Sequence, residues 1–310
     1  MTPLRLGYLY GIGAYLLWGF FPLYFKVLRP TGPLEILAHR IVWSVLFVAL
    51  LLGALRNVGF LRALLRRRAA LAGIVAAAAL IAVNWGTYIY GVSSDRVVET
   101  ALGYFINPLV VVLLGVTVLR ERLRAAQWVA LGIGGSAVAV LAVDYGRLPW
   151  LALTLAFSFA GYGLIKKRLG LPAAEGLFVE SAVLALPALG YLAWLSRHDG
   201  LTFGHVSAGH TALLVLAGAA TAIPLLLFAG AANRLPLTGL GMIQYLAPIL
   251  QLGCGVLIFH EPMPPARLAG FALVWLALLV FTADAIRAAR QSRRSRPVVV
   301  DHGVVVPAEH

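Results

Sequence analysis

The feature that most constrains this chain is the recurrence of apolar runs about as long as a bilayer is thick. A helix needs about 20 mainly apolar residues to cross the hydrocarbon core. Ten runs meet or approach that length: Leu6–Leu28, Pro33–Leu55, Ala69–Val92, Val97–Leu119, Ala125–Val143, Pro149–Ile165, Ala174–Leu195, Thr211–Ala232, Pro236–Phe259 and Ala266–Ala285. The stretches Leu71–Val92, Thr100–Leu119, Thr211–Asn233 and Leu235–Phe259 carry no charge. Composition agrees, since 61% of the 310 residues are hydrophobic and 12% charged, with a mean hydropathy of +0.90. Soluble chains are about 45–50% apolar and about 25% charged. The expectation is an all-α membrane protein with ten transmembrane helices. The first run is too long for a secretory signal and contains Tyr, Trp and Pro22, so it reads as a retained span.

The formal charge is +13, with 25 Lys+Arg against 12 Asp+Glu. Nucleic-acid binding would need these cations on one face of a folded polar domain, and the sequence has none. They cluster instead in alternate loops: Arg56 to Arg68, Arg120 to Arg124, Lys166 to Arg168, Arg234, and the tail arginines 287 to 296. With Arg5, that side carries 18 cations and the opposite side six, leaving Arg40 alone within a span. The positive-inside rule then places both termini in the cytoplasm. From about Arg287 the chain turns polar and ends in a Val-rich, Pro-containing stretch, which reads as a disordered basic tail touching anionic lipid.

Compared with itself at an offset of 140 residues, the chain aligns Lys26 with Lys166, Glu35 with Glu175, Pro108 with Pro248, Gly115 with Gly255 and Glu121 with Glu261. This divides it into residues 1–144, residues 145–286 and the tail 287–310. Each half holds five spans, an odd number, so the second half runs through the membrane in the opposite sense. Inverted repeats recur among secondary transporters, where they enclose a midplane site. Glu121 and Glu261 close the fourth and ninth spans, where a helix-end role is expected.

The strings Gly13-Ala-Tyr-Leu-Leu-Trp-Gly-Phe-Phe-Pro-Leu-Tyr-Phe-Lys26, Glu35-Ile-Leu-Ala-His-Arg-Ile-Val-Trp-Ser44, Asn84-Trp85, Leu102-Gly-Tyr-Phe-Ile-Asn-Pro-Leu109 and Ser158-Phe-Ala-Gly-Tyr-Gly-Leu-Ile-Lys166 closely resemble the RarD (chloramphenicol-sensitive) proteins. These belong to the EamA branch of the drug/metabolite transporter superfamily. The resemblance extends to about residue 285. It implies ten spans, two EamA-type halves and a bacterial inner-membrane permease, and it implies no particular substrate.

An ionisable group at the centre of a span costs about 2.5–3.5 kcal/mol by insertion scales, so each one needs a reason. His39, Arg40, Glu99 and Glu180 qualify, with Glu35 at a span edge. Arg40 suits an anionic solute group, or else snorkels or pairs structurally with a carboxylate. Glu180 or Glu99 suits proton coupling, and His39 either a proton relay or a structural hydrogen bond. Trp18, Asn84, Trp85, Tyr88, Tyr104, Asn107, Tyr162, Gln244, Tyr245 and Gln251 form a polar and aromatic set, read as a cavity lining or as interhelical glue and interfacial anchors. Pro108 and Pro248 are symmetry mates and candidate flexing points.

Cys254 is the one cysteine, and no spacing of His, Cys or carboxylates suits a metal. No phosphate-binding GxxxxGK[ST] motif occurs, and no catalytic residue or cofactor is expected. The functional expectation is a secondary active permease for metabolites, amino acids or amphipathic drugs, with small organic solutes, protons and the lipid bilayer as its partners. A gradient-independent facilitator and a non-transporting sensor or scaffold are the alternatives. Oligomeric state is not legible.

Overall fold

A computed structural model describes residues 2–54, 68–120, 122–235 and 237–294. The described residues are helical throughout, without a strand among them. In chain order the helices are α1 (Pro3–Gly19), α2 (Phe21–Val27), α3 (Pro33–Ala54), α4 (Arg68–Ser93), α5 (Val97–Leu119), α6 (Ala125–Asp144), α7 (Trp150–Leu169), α8 (Ala173–Arg197), α9 (Ala208–Ala232), α10 (Leu237–Ile243), α11 (Leu246–Gly253) and α12 (Pro265–Arg294). A π-helical turn, Cys254–Ile258, extends α11.

Local signals set many of the ends. The Thr2 side chain accepts from the Arg5 N–H and Pro3 opens α1, while Ser207 Oγ accepts from His210 N–H at 3.0 Å to open α9. Helices α5 and α7 stop at the left-handed residues Arg120 and Gly170.

Eight of the described helical paths are long and apolar enough to cross a membrane, Pro3–Val27 being one of them, and Trp150–Lys166 and Leu246–Ile258 are shorter apolar segments. The molecule is thus a multi-pass helical membrane protein. Large side chains such as Leu50, Val143, Leu186 and Leu257 are exposed on its outer face, as lipid contact requires. Among the described residues, short connections join successive helices. The first helix begins and the last finishes at what we term the near end; Lys26, Asp95 and Glu261 lie at the far end.

The first and ninth runs, expected as continuous spans, are both broken. Pro22 has no N–H to offer the Trp18 carbonyl, and the chain breaks at Phe20 between α1 and α2. The ninth run divides at Gln244 and Tyr245 and then widens into the π-helical turn. The two breaks meet: Gln251 Nε2 donates to the Trp18 carbonyl at 3.0 Å, replacing the bond that Pro22 cannot make. A Cβ on Gly19 would stand 2.6 Å from Leu250 Cδ1, so glycine lets α1 lie directly on α11. Pro108, by contrast, sits inside an uninterrupted α5, while Pro248 lies in the first turn of α11. Helix α12 also runs on to Arg294, into the stretch expected to be unstructured from Arg287, because Arg, Ala and Gln are good helix formers. Leu55, Arg56, Arg62, Arg66, Arg67, Glu121, Pro236 and the tail from residue 295 lie outside the described residues.

Packing follows the offset of 140. Helix α4 lies on α7 as α9 lies on α1, α5 lies on α7 as α11 lies on α1, and α4 meets α8 as α9 meets α3. The pairs α3 with α8, α5 with α11 and α6 with α12 join equivalent elements. One core cluster runs along α5, α6, α7 and α12 around Phe105, Leu141 and Phe271. A second, built on Phe21, Phe25, Ile36, Tyr88 and Ile89, borders the site described next.

Candidate functional site

Arg40 lies about two turns into α3, in a helix that carries no other Arg or Lys. Its side chain is buried, at 4% exposure. Gly218 makes that position possible, since any side chain there would strike the Trp43 backbone, and its absence brings α9 against α3. Thr221, one turn further along α9, then meets Arg40: Arg40 Nε donates to Thr221 Oγ1 at 2.8 Å, and the hydroxyl donates on to the Ala217 carbonyl. The guanidinium carbon stands 4.2 Å from the Trp85 ring centroid, 5.5 Å from that of Phe21 and 5.8 Å from that of Phe25. Cation–π contacts of this kind are worth about 2 kcal/mol or more when desolvated.

Around this cation the shell of packed side chains, called the chamber below, is completed by α4 and α5. The Tyr88 ring packs edge-on against Phe25 at 6.0 Å and Tyr104 at 5.7 Å. Tyr88 is buried and its hydroxyl has no partner among the described residues. Tyr104 Oη reaches Asn84 Oδ1 only at 3.5 Å, whereas Asn84 Nδ2 is well held by the Leu155 carbonyl at 2.9 Å and Ser158 Oγ at 3.1 Å. Arg40, Asn84, Trp85, Tyr88 and Tyr104, singled out from the sequence, are thus brought together. Phe21, Phe25 and Thr221 complete the chamber without having been foreseen. The one available signal for Thr221 was a lone hydroxyl deep in a charge-free run.

The remaining candidates lie elsewhere. Glu180 is buried against Lys166 Nζ at 2.6 Å and Tyr162 Oη at 3.0 Å. Glu99 is held by Arg96 at 2.6 Å, by Arg147 at 2.9 Å and by the Leu151 N–H at 3.2 Å. His39 Nδ1 accepts from Trp43 Nε1 at 3.3 Å, its ring stacks on Phe203 at 4.7 Å, and Nε2 stands 3.8 Å from Glu35. Glu35 itself accepts from the N–H groups of Thr202 and Phe203. Trp18 packs on Tyr15 and Phe228. Gln244 and Tyr245 form the break before α11, with Tyr245 against the α5, α6 and α12 cluster. Asn107 Oδ1 is buried and has no partner among the described residues. Among the described residues no group of His, Cys, Asp and Glu is arranged to hold a metal.

At the far end, Glu261 closes the molecule in a way the sequence did not reveal. Its two carboxylate oxygens accept from the Val97 and Val98 N–H groups, at 2.6 and 2.8 Å, capping α5 from the other half of the chain. Burial pushes this carboxyl above its ordinary range, against the opposing pull of the two N–H groups. Lys26 bonds to Asp95 nearby and holds that carboxyl below the usual range. A half-open cleft of about 210 Å³ lies between Asp95, Glu99, Arg147, Glu261 and Arg267, away from Arg40.

The chain is thus a multi-pass helical membrane protein that buries Arg40 among aromatic rings, between elements from both parts of its sequence. The chain belongs to the EamA-like transporter family, whose model matches it twice, over residues 5–143 and 148–283. It is 54% identical over 304 residues to "Protein RarD" of Streptomyces exfoliatus, covering 98% of this chain and 96% of that one. It is 43% identical over 297 residues to "Uncharacterized transporter YojE" of Bacillus subtilis, covering 93% and 97%. A solved crystal structure shares the fold with a TM-score of 0.57 at 21% identity, over 88% of this chain and 96% of that chain.

Proposed function

We propose that this protein is a secondary transporter of small organic solutes that works by alternating access. In this reading, residues 1–144 and 145–286 are inverted repeats of five spans each, and the ten spans lie in a bacterial inner membrane with both termini in the cytoplasm. The observation that carries the reading is the Arg40 chamber, assembled from α2, α3, α4 and α5 of the first half and α9 of the second. The packing of equivalent elements about the offset of 140 supports two halves that can exchange roles.

Movement is driven by a proton gradient, with Glu180 or Glu99 as the coupling carboxylate. A gradient-independent facilitator is the second reading, favoured by the fact that both carboxylates are already held by cations. Reconstituted protein in liposomes, screened with metabolites, amino acids and amphipathic drugs, separates the two. Flux that rises with an imposed pH gradient and is lost in Glu180→Gln or Glu99→Gln identifies the coupled carrier. Flux indifferent to the gradient identifies the facilitator, and absence of flux from every pool overturns both.

A further inference from the structure

The buried charges divide into two groups. Among the described residues, Glu35, Glu99, Glu180 and Glu261 each accept hydrogen bonds from at least two donors. Arg40 has no carboxylate within ion-pair distance among those residues. Its one hydrogen bond among the described residues uses Nε, so the two terminal amino groups are bonded to none of them. The Tyr88 hydroxyl in the same cluster is uncommitted among the described residues, and Tyr104 is only weakly engaged. Tyr24, the third phenol of this neighbourhood, is occupied by the Leu213 carbonyl at 2.6 Å. The site therefore presents two unbonded amino groups of Arg40 beside a free phenol, and it carries one positive charge with no carboxylate against it among the described residues.

We infer that the chamber binds an organic monoanion, a carboxylate on an apolar or aromatic body, with the carboxylate end-on to the two terminal amino groups of Arg40 and within reach of Tyr88. A carboxylate matches the fork of a guanidinium with two parallel hydrogen bonds. Nε is taken by Thr221, so only the end-on fork is available. One charge is balanced by one charge, whereas a phosphate monoester near −2 would leave an excess in a buried site. A zwitterionic amino acid fits less well, because its ammonium would find no carboxylate there among the described residues, only the Asn84 amide oxygen and the tyrosine hydroxyls. The rings of Trp85, Phe21 and Phe25 supply the apolar wall.

This deepens the transporter reading at the same site, but binding can be tested without flux. The purified full-length protein is titrated, by calorimetry and by thermal unfolding, with 3-phenylpropionate, 3-phenylpropionamide and L-phenylalanine, then with straight-chain monocarboxylates. Saturable binding of a monocarboxylate at least about tenfold tighter than its amide and than L-phenylalanine is the expected result. Arg40→Gln abolishes it, Arg40→Lys keeps the preference for the anion at lower affinity, and Tyr88→Phe weakens it a few-fold. Equal binding of the amide or of L-phenylalanine overturns the inference, as does a folded Arg40→Gln protein that binds like the wild type. Failure of every monocarboxylate to bind at millimolar concentration overturns it too. The comparison of the three probes on the wild type stands even if a variant does not fold. Flux of neutral solutes without anion binding would sink this inference alone, and anion binding without flux would sink the transport reading alone.

Discussion

At the scale of single residues, the protein turns on how each buried charge is answered. Thr221 is the one hydrogen-bond partner of Arg40 among the described residues. In Thr221→Val the buried guanidinium loses that bond, and a hydrogen bond to a charged group is worth about 1.5–3 kcal/mol. A stability loss of that order is expected in denaturation of the purified protein, with Thr221→Ser close to the wild type. Glu261 gives a pH signature. Its folded value is raised above the ordinary 4.5, so in the window between the two the folded state holds more protons than the unfolded one. Stability from this group is therefore greatest below about 4.5 and falls as pH rises through the folded value. Thermal unfolding of wild type and Glu261→Gln across that window should show a downward slope in the former that is flattened in the latter. Much of the site was legible at this scale: Arg40 stands out because charge in a span is expensive, and Asn84 and Tyr88 are one turn apart on one helix. Thr221 was not legible, because 181 residues separate it from Arg40 and no local spacing can report such a contact. The same holds for Glu261, whose partners lie 163 and 164 residues away.

At the scale of elements, the two broken spans are the distinctive feature, and each break is stabilised by the other. Gly19 is the point of closest approach. Replacing it with Ala should cost about 1–3 kcal/mol by overpacking, and the added change Leu250→Ala should recover part of the loss. A double-mutant cycle on thermal unfolding measures the coupling, and strict additivity would mean that α1 and α11 do not touch as described. Gln251→Leu should cost about 1–3 kcal/mol by leaving the Trp18 carbonyl without its donor. Proline signalled some of this and misled elsewhere. Pro22 stands two residues past a break, where its missing N–H is tolerated, whereas Pro108 lies inside an unbroken α5. The apolar runs were readable because the bilayer sets their length. Whether a run is one helix or two is decided by what lies across from it.

At the scale of the whole molecule, the offset of 140 residues predicts which elements are equivalent, and the packing pairs them accordingly. The proposed orientation follows from cation distribution alone and can be measured directly. In a Cys254→Ser background, a membrane-impermeant thiol reagent applied to intact cells should label a cysteine placed at His205, in the far-end loop, and spare one placed at Arg124. The reverse pattern would place the near end outside. One asymmetry in the fold has a dynamic corollary. At the offset of 140, α7 aligns with the broken α1 and α2, and α5 with the broken ninth run, yet both run unbroken. If the halves trade shapes during a transport cycle, α5 must open near Gly103 to Phe105 and α7 near Ala160. Pro108 already denies the Tyr104 carbonyl its helical donor. Amide protons in those two short windows should therefore exchange with deuterated solvent faster than the rest of α5 and α7, and faster still while solute is turning over.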